Sequence, residues 1–424
     1  MPASKPRVVY WQNIPTPHVV ARFNTLAARG NIAFEAWFNA EREPDRSWDV
    51  DTREWAFQAR FVPARPYAGY RLRLPLAELR HVRPDLLVSL YDRAAFALGI
   101  LAAHTAASRV ALRALPNYDS WSARAWWKEA GKHMLFRAAD GALAPGPDGA
   151  RLAGCYGLPA ARVHTVTQSI DVAHYADKQR IDRAAREDRR AELGLHGCVF
   201  LYVGRLWSGK GLDDLFDAYR IVRLRHRDVS LLVVGDGVDE GRYRAMAHRL
   251  PGVTFAGFVQ PRDLPAFYAL ADALVFPTLG DPHGLVVEEA MATGLPVICT
   301  ETAGDIRRRL PDGRAGYIVP ASDPGTLAAR MEELARDPAR RAFFGEAARR
   351  AVAPRTHEHW AGDFERFVAA VLAAPARRTP AALLASVLGH GLLALGARGH
   401  EVALLVNASE PRSYGLSGDG WAAR

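Results

Sequence analysis

The chain has 424 residues, of which 49% are hydrophobic and 24% are charged. This balance is typical of a globular protein and argues against disorder, and the length favours two domains with an extension. The net charge of +9 comes from arginines spread along the chain, without a basic run or a nucleic-acid-binding motif. We therefore expect anionic small molecules or an acidic membrane surface as partners, and no nucleic acid.

Cysteine usage and the ends of the chain predict a cytoplasmic protein. Cys155, Cys198 and Cys299 are odd in number and far apart, which favours neither a disulfide framework nor a zinc site. The chain runs from Met1 into a predicted strand without an apolar signal region. The uncharged segment 381–397 barely reaches the length that a bilayer requires, so a membrane span there is only an alternative interpretation.

Apolar runs of strand length alternate with helix-period segments through most of the chain, which indicates a doubly wound α/β architecture. In the first half the predicted strands are 8–11, 32–38, 86–91, 110–115, 142–144 and 163–166. The predicted helices there are 19–28, 94–104 and one within 122–138, and a long loop region follows residue 38. Residues 1–175 are taken as the first Rossmann-like domain.

A charged segment poor in apolar residues, 176–195, is interpreted as a linker into a second series of elements. Its predicted strands are 198–203, 230–234, 253–255, 274–276, 297–299 and 317–319, with helices between them and three more over 324–374. The second Rossmann-like domain is placed at 196–355, and 356–376 is predicted to return as a helix toward the first. Two such domains facing a cleft are the economical architecture, because ligands bind outside the carboxyl ends of parallel strands.

One motif at a strand end carries two cations. The stretch Val203-Gly-Arg-Leu-Trp-Ser-Gly-Lys-Gly211 places Arg205 and Lys210 on a short glycine-bearing loop before a helix. Two cations there can neutralise the charge that grows on a diphosphate leaving group. A pair of ordinary surface cations near a helix start is the alternative.

A second motif follows a strand at 273–276 and runs from Gly280 to Ile298. Gly284 lies where a helix is expected to begin, and the free amides of a helix start suit phosphate or sugar oxygens. Glu289 lies about one and a half turns into that helix, where its carboxylate can accept hydrogen bonds from both hydroxyls of a ribose. Glu288 is interpreted as a solvated acid that points elsewhere.

In this order, with Gly257-Phe-Val259 between them, the motifs resemble the retaining glycosyltransferase family 4. The family pattern runs V-G-R-L-x-x-x-K-G, then G-F-V, then a D/E-x7-E segment continuing into E-A-M-A-x-G-x-P-V-I. Every element is matched within 198–320, and the resemblance extends over 6–372. It implies the GT-B fold and transfer of a sugar from a nucleotide sugar to an acceptor hydroxyl, with retention and without a metal.

The resemblance also implies roles for individual residues. Arg205 and Lys210 would contact the diphosphate, and Glu289 would contact the ribose. The catalytic candidates are Arg205, Lys210 and Asp281. The donor-binding candidates are Gly204, Phe258, Val259, His283, Gly284, Leu285 and Glu289, with the backbone near Phe258 meeting the base.

The sequence departs from the family pattern at three places. Asp281 stands where the family commonly has Glu, which shortens its reach toward the donor sugar by one methylene. His18-Val19 stands where one branch of the family has Tyr-Arg, which leaves the acceptor-side cation of that branch without a match. His18 lies at the tip of the first strand–helix turn and is a weak acceptor-side candidate, beside the alternative of a capping or exposed histidine. The loop 116–121 contains Asp119, a second weak acceptor-side candidate, and lacks a histidine that many relatives carry.

Three further segments have weaker interpretations. Asp49-Val-Asp51 matches a metal-binding D-x-D pattern, but it lies in a polar loop and chance is the stronger explanation. Trp126 and its neighbours, with interleaved cations, indicate either a core or cleft wall or a peripheral contact with an anionic membrane. Residues 377–424 have no place in the two-domain scheme, and we expect their deletion to leave the fold intact.

The function predicted from these observations is metal-independent glycosyl transfer in polysaccharide, glycolipid or glycosylated-metabolite synthesis. The acceptor is lipid-linked or a small metabolite, and no cofactor is expected. A sugar-nucleotide epimerase on the same fold is an alternative, but it needs acids and a histidine around the second carbon of the donor sugar. A catalytically silent nucleotide-sugar-binding subunit is another, and the intact Arg205, Lys210 and Glu289 argue against it.

Overall fold

A computed structural model describes most of the chain. The described residues are 4–42, 48–49, 51–62, 66–67, 69–71, 76–91, 100–101, 103–104, 109–115, 126–176, 182–377, 379–397 and 405–406. They form two compact units, one of residues 1–46, 50–169 and 357–424, the other of residues 47–49 and 170–356. The predicted helix 94–104 lies largely outside the described residues.

Within the described residues the first unit is built on a parallel sheet. Its strands, numbered along the chain with the short antiparallel pair β4 and β5 included, are β1 Arg7–Gln12, β2 Ala33–Phe38, β3 Gln58–Phe61, β4 Pro66–Tyr67, β5 Gly69–Arg71, β6 Leu86–Ser89, β7 Arg109–Arg113, β8 Gly141–Ala144 and β9 Val163–Thr165. The seven parallel strands follow the order β3-β2-β1-β6-β7-β8-β9. The edge strand β3 lies in the region that the sequence predicts to be loop.

Helices flank this sheet, and their sequence signals are local. They are α1 Pro17–Arg29, α2 Leu76–Val82, α3 Trp126–Ala138 and α4 Pro147–Cys155. In α1, Pro17 occupies the first turn, Gly30 ends the helix with φ of 66°, and Val19, Phe23 and Leu26 are buried. Proline at the start and a left-handed glycine at the end are the expected helix punctuation.

The second unit contains a parallel sheet of six strands among the described residues. These are β10 Cys198–Val203, β11 Val229–Val234, β12 Val253–Gly257, β13 Ala273–Phe276, β14 Val297–Thr300 and β15 Gly316–Val319, in the order β12-β11-β10-β13-β14-β15. Strands β10, β11, β13 and β14 are buried along their whole length, as expected for a parallel sheet covered on both faces. The predicted class of two Rossmann-like doubly wound sheets is confirmed.

The helices of the second unit join successive strands or cover the sheet. They are α5 Val172–Ala176, α6 Arg183–Glu192, α7 Leu212–Arg225, α8 Glu240–Ala247, α9 Leu264–Leu270, α10 Val286–Ala292, α11 Ile306–Arg309, α12 Pro324–Arg336 and α13 Pro338–Val352. Helix α6 lies within the segment interpreted as a linker. Arg186 and Arg190 of this helix bind Asp272 over 3.0 and 2.8 Å, which holds the helix to the second unit. The second unit takes in residues 170–356, so the predicted linker is part of it.

The chain re-enters the first unit through α14, His357–Ala373. Trp360, Phe364 and Phe367 of this helix are buried in a cluster with Tyr10 and Phe23. Arg29 at the end of α1 binds Glu365 over 2.9 Å. This helix is therefore part of the core of the first unit.

The C-terminal extension, residues 377–424, contradicts the expectation that it has no place in the fold. Helix α15, Pro380–Ala397, packs against α3, and Ala385 is 0% exposed within the core of the first unit. Thr379 accepts the N–H of Ala382 and donates to the carbonyl of Arg137, which caps the helix and anchors it. Leu405–Val406, numbered β16, pairs with β5.

The uncharged segment 381–397 lies in α15. Across the described part of the chain, no helix combines the length and the apolar character needed to cross a bilayer.

Candidate functional site

The predicted residues of the second unit follow the carboxyl ends of its strands. Gly204 and Arg205 come directly after β10, and Phe258 and Val259 come directly after β12. The loop 277–285 follows β13 and leads into α10. Because all these strands are parallel, the three segments lie at one edge of the sheet, where such folds bind ligands.

Lys210 and Asp281 form an ion pair at this edge. Nζ of Lys210 binds Oδ2 of Asp281, and Oδ1 of Asp281 accepts the backbone N–H of His283 over 2.8 Å. Burial raises the pKa of the Asp281 carboxyl, but the charge and hydrogen bond of Lys210 outweigh burial and hold that pKa below its ordinary value. The motif 203–211 and the motif 280–298 are thus joined by their charged side chains, Lys210 and Asp281.

Lys210 is positioned by a tight connection into α7. The segment Ser208–Lys210 is a short 3₁₀ helix, and Gly211 follows it with φ of 70°. A Cβ at Gly211 would collide with the carbonyl oxygen of Pro277, so only glycine lets the two loops approach this closely. The glycine of the sequence motif therefore serves the contact between the two loops.

Arg205 has a fixed main chain at the end of β10. The hydroxyl of the buried Tyr202 donates to the Arg205 carbonyl over 2.9 Å, and the Arg205 guanidinium lies 5.7 Å from the ring centroid of Trp207. This leaves a guanidinium beside an aromatic face at the carboxyl edge of the sheet.

Gly284 forms the turn before α10. Its φ is 70°, and a Cβ there would come within 2.6 Å of the Phe276 ring. Leu285 is the N-cap residue, so the helix begins at Val286 and not at Gly284 as the sequence predicts. The left-handed turn at Gly284 accounts for the delay.

Glu288 overturns its interpretation as a solvated acid. Its side chain is 1% exposed, and both carboxylate oxygens bind Nη1 of Arg309 over 2.7–2.8 Å. Oε1 also lies 3.1 Å from Nε2 of His283 and 3.8 Å from Arg355. Burial raises the Glu288 pKa, but the charges of Arg309 and His283 lower it well below its ordinary value.

His283 belongs to the same buried network. Its main-chain carbonyl accepts from Nη2 of Arg309, and Nε of Arg309 donates to the carbonyl of Gly304 over 3.1 Å. Burial and the neighbouring Arg309 lower the pKa of the imidazole. The side chain of His283 thus joins the loop 277–285 to Glu288 of α10, and its main chain joins the same loop to Arg309 of α11.

Glu289 has different partners from its neighbour. The hydroxyl of Tyr268 donates to Oε2 over 2.7 Å, and Tyr175 also hydrogen-bonds the carboxylate. Burial raises the pKa of Glu289 to about 7, despite these two hydrogen bonds, and the charge of Glu288 adds to the rise. The site therefore contains a carboxylate that titrates near neutral pH.

Sequence reasoning missed the residues that hold the two acids. Tyr175 and Tyr268 lie on separate short helices and form an edge-on pair with centroids 5.7 Å apart. Arg309 is the last of three consecutive arginines, of which this one is buried. Their spacing carries no motif, so only the arrangement of the elements identifies them.

The acceptor-side candidates lie in the first unit or outside the described residues. His18 is in the first turn of α1, where its ring lies 3.2 Å from the hydroxyl of Thr16. Asp119 lies outside the described residues.

Asp49 and Asp51 of the D-x-D pattern have protein partners. Asp51 binds Arg53 over 2.7 Å, and the N–H of Asp49 donates to Gln260. Among the described residues, no group of three or more His, Cys, Asp or Glu side chains is arranged to hold a metal ion. That the protein works without a metal stays a prediction.

Residues 197–337 match the family model of glycosyl transferases group 1. This segment contains β10 to β15 and all the candidates of the second unit described above. The match is a likeness of this segment, about a third of the chain, to that family.

Curated relatives align with about half of the chain. Spore coat protein SA of Bacillus subtilis is 33% identical over 208 residues, which are 46% of this chain and 55% of that protein. D-inositol 3-phosphate glycosyltransferase 2 of Catenulispora acidiphila is 33% identical over 231 residues, 51% of this chain and 53% of that protein. The chain thus spans only about half the length of these relatives.

A solved structure shares the fold over a longer stretch. HepE of Anabaena in complex with UDP covers 86% of this chain and 99% of its own, with a TM-score of 0.69 and 16% identity. The same protein has also been solved with UDP-glucose. At this identity the likeness establishes the fold alone, which is that of GT-B glycosyltransferases.

Proposed function

We propose that the protein transfers a glycosyl group from a nucleotide sugar to an acceptor hydroxyl. The observation that carries this proposal is the pairing of Lys210 with Asp281 at the carboxyl edge of the second sheet, where Arg205 also follows β10. A diphosphate at this edge would meet two cations, and the family match over 197–337 supports a nucleotide-sugar donor.

Donor binding would exchange the partner of Lys210. Its ammonium group binds the Asp281 carboxylate, and phosphate oxygens of the donor would compete for it. The exchange frees an oxygen of Asp281, which can then accept a hydrogen bond from a donor-sugar hydroxyl. Arg205 and Lys210 would offset the charge that develops on the departing diphosphate, without a metal.

Glu289 would bind the ribose of the nucleotide. Tyr175 and Tyr268 fix the carboxylate, and an ionised carboxylate has further lone pairs that can accept from two hydroxyls. The main chain at Phe258 and Val259 would meet the base. Glu288 has no place in this contact because Arg309 and His283 occupy it.

The finer features of the proposal come from the family resemblance. Retention of configuration follows from it, with a front-face reaction in which the leaving phosphate helps to deprotonate the acceptor. The acceptor is a lipid-linked or small-molecule hydroxyl, and the name of the Catenulispora acidiphila relative adds an inositol phosphate as a class to test.

The experiment is a thermal-shift screen of nucleotide sugars, followed by mass spectrometry of transfer products with the donor that binds. A ligand that binds only the folded state raises its melting temperature. Glu289→Ala should reduce the shift, because it removes the contact with the ribose, whereas the control Lys5→Ala, at an exposed position, should keep it. No shift with any nucleotide sugar would overturn the proposal, and an epimerised donor without a transfer product would favour an epimerase.

A further inference from the structure

The first unit contains a cavity that the proposed transfer reaction does not use. Its volume is about 170 Å³, and it lies where β7 begins, beside Asp140, which directly precedes β8. The C-terminal extension forms one wall through Arg377, Ala382, Leu383 and Ser386, with Ala376 just before it. Leu383 is 63% exposed, so the cavity opens to solvent beside α15.

Positive charge dominates the lining of this cavity. The lining contains Arg109 and Arg377, and its one acidic residue is Asp140. His104 also lines the cavity, but burial lowers the pKa of its imidazole, so it adds no charge near neutral pH. Arg162 lies close by, where it donates to the Asp140 carbonyl over 3.2 Å. Three arginines thus surround a single carboxylate.

Asp140 is already engaged by the protein. Oδ2 accepts the N–H of Val110 over 2.9 Å, and Oδ1 accepts the N–H of Arg377 over 3.0 Å. Oδ1 also lies 3.9 Å from Nε of Arg109. The carboxylate therefore balances one arginine and is not directed at an incoming cation.

Nη1 of Arg377 and Nε2 of His104 are buried at this cavity and have no hydrogen-bond partner among the described residues. A buried donor without a partner costs free energy, so such groups in native proteins usually have a ligand, an ion or a water. Burial and repulsion from Arg162 lower the pKa of the Arg377 guanidinium, which is the expected effect of uncompensated positive charge.

We propose that this cavity binds a small oxyanion of the phosphate class. A guanidinium presents parallel N–H donors that match phosphate oxygens, and the hydroxyl of Ser386 lines the same space. The anion would give Arg377 and His104 the partners that they lack. Because α15 forms a wall, the anion would also tie the C-terminal extension to the first unit.

The test is calorimetric titration of the full-length protein with inorganic phosphate, at constant ionic strength maintained with chloride. Arg377→Gln should weaken phosphate binding by about tenfold or more, because a charge-assisted hydrogen bond is lost. The matched control is Arg366→Gln on α14, where the arginine is exposed and pairs with Asp363. It should leave binding unchanged.

A second pair of variants tests the site without touching its buried groups. Leu383→Glu places a carboxylate at the mouth of the cavity and should abolish phosphate binding by repulsion. Val387→Glu makes the same change one helical turn later, at a side chain that is 69% exposed and does not line the cavity. It should change affinity by no more than about twofold, because exposed charges are screened.

The source of the oxyanion is decided by further titrations. Glucose 6-phosphate represents a soluble phosphate ester, and vesicles of phosphatidylcholine with equimolar phosphatidic acid represent a lipid headgroup. If one of these two ligands binds and Arg377→Gln abolishes that binding, the result supports the site and identifies that ligand class as the source of the oxyanion. Absence of phosphate binding, or binding that Arg377→Gln and Leu383→Glu leave intact, overturns the proposal.

Discussion

The hydroxyl of Tyr268 donates a hydrogen bond to Oε2 of Glu289 over 2.7 Å, while the adjacent Glu288 binds Arg309 in the core. Two neighbouring acids of the same helix are therefore held by different elements, α9 and α11. Glu289 is half-buried, and Glu288 is fully buried and holds the loop that precedes the helix.

The two acids should respond differently to mutation. Glu289→Ala should weaken nucleoside diphosphate binding by about 1.5–3 kcal/mol, the cost of losing charged hydrogen bonds. Glu288→Ala should instead lower the free energy of unfolding by about 3–5 kcal/mol, because Arg309 would keep a buried charge without its partner. Calorimetry and urea unfolding measure the two effects, and equal behaviour of the variants in both would contradict the assignment.

Nucleotide affinity should depend on pH near neutrality. The pKa of Glu289 is raised to about 7, and ribose hydroxyls donate to its ionised form, so binding lowers that pKa and releases a proton. Affinity should therefore fall as the pH drops below 7, by up to about tenfold per pH unit. The measurement is calorimetry with UDP across pH 5.5–8.5, a range of about three units around that pKa.

The control for this pH dependence is Glu289→Gln, which keeps the shape of the side chain and cannot ionise. Titration of the nucleotide phosphate affects both proteins equally, so the difference between their profiles reports Glu289. Parallel profiles would show that Glu289 does not touch the ribose.

Charge neutralisation by the protein predicts resistance to chelators. Transfer activity should survive EDTA, and Lys210→Ala should lower turnover by about 10²–10³-fold while changing donor affinity less. The comparison is steady-state kinetics of wild type and Lys210→Ala, with and without EDTA. Loss of activity in EDTA with rescue by manganese would return attention to Asp49 and Asp51.

Asp281→Glu should change the preferred donor sugar while leaving affinity for the free nucleoside diphosphate nearly constant. The longer side chain moves the carboxylate by one methylene relative to the loop that the His283 amide fixes. A site that hydrogen-bonds a sugar hydroxyl discriminates strongly, because a wrong epimer leaves a buried polar group unpaired. Donor profiles of both proteins across several nucleotide sugars test this, and an unchanged profile with slower turnover would limit Asp281 to shaping the loop.

Removal of the C-terminal extension should destabilise the first unit. Truncation after residue 376 exposes the surface of α3 that α15 covers and removes Ala385 from the core. We expect a lower melting temperature, with nucleotide binding by the second unit retained. The point variant Ala385→Asp should act in the same direction by about 2–4 kcal/mol, because it buries a charge without a partner. An unchanged melting temperature in both would show that α15 does not contribute to stability.

Much of the architecture is determined by local sequence signals. The apolar runs of β10, β11 and β13 and the proline and glycine that bound α1 indicate the elements without knowledge of their neighbours, because strand burial and helix termination depend on adjacent residues. Gly211 and Gly284 likewise belong to the two sequence motifs, and the structure shows the close contacts that require a glycine at each position.

Other features were decided only by the tertiary structure. Successive residues of a helix point about 100° apart, so the sequence cannot tell which of Glu288 and Glu289 faces the core until α9 and α11 are in place. The same holds for the C-terminal extension. The sequence of its apolar helix does not indicate whether the helix packs against another element, and only the structure shows that it packs against α3. Burial depends on which residues lie opposite a side chain. Tyr268, Arg309 and the helix that walls the basic cavity are all distant in sequence from the side chains that they contact.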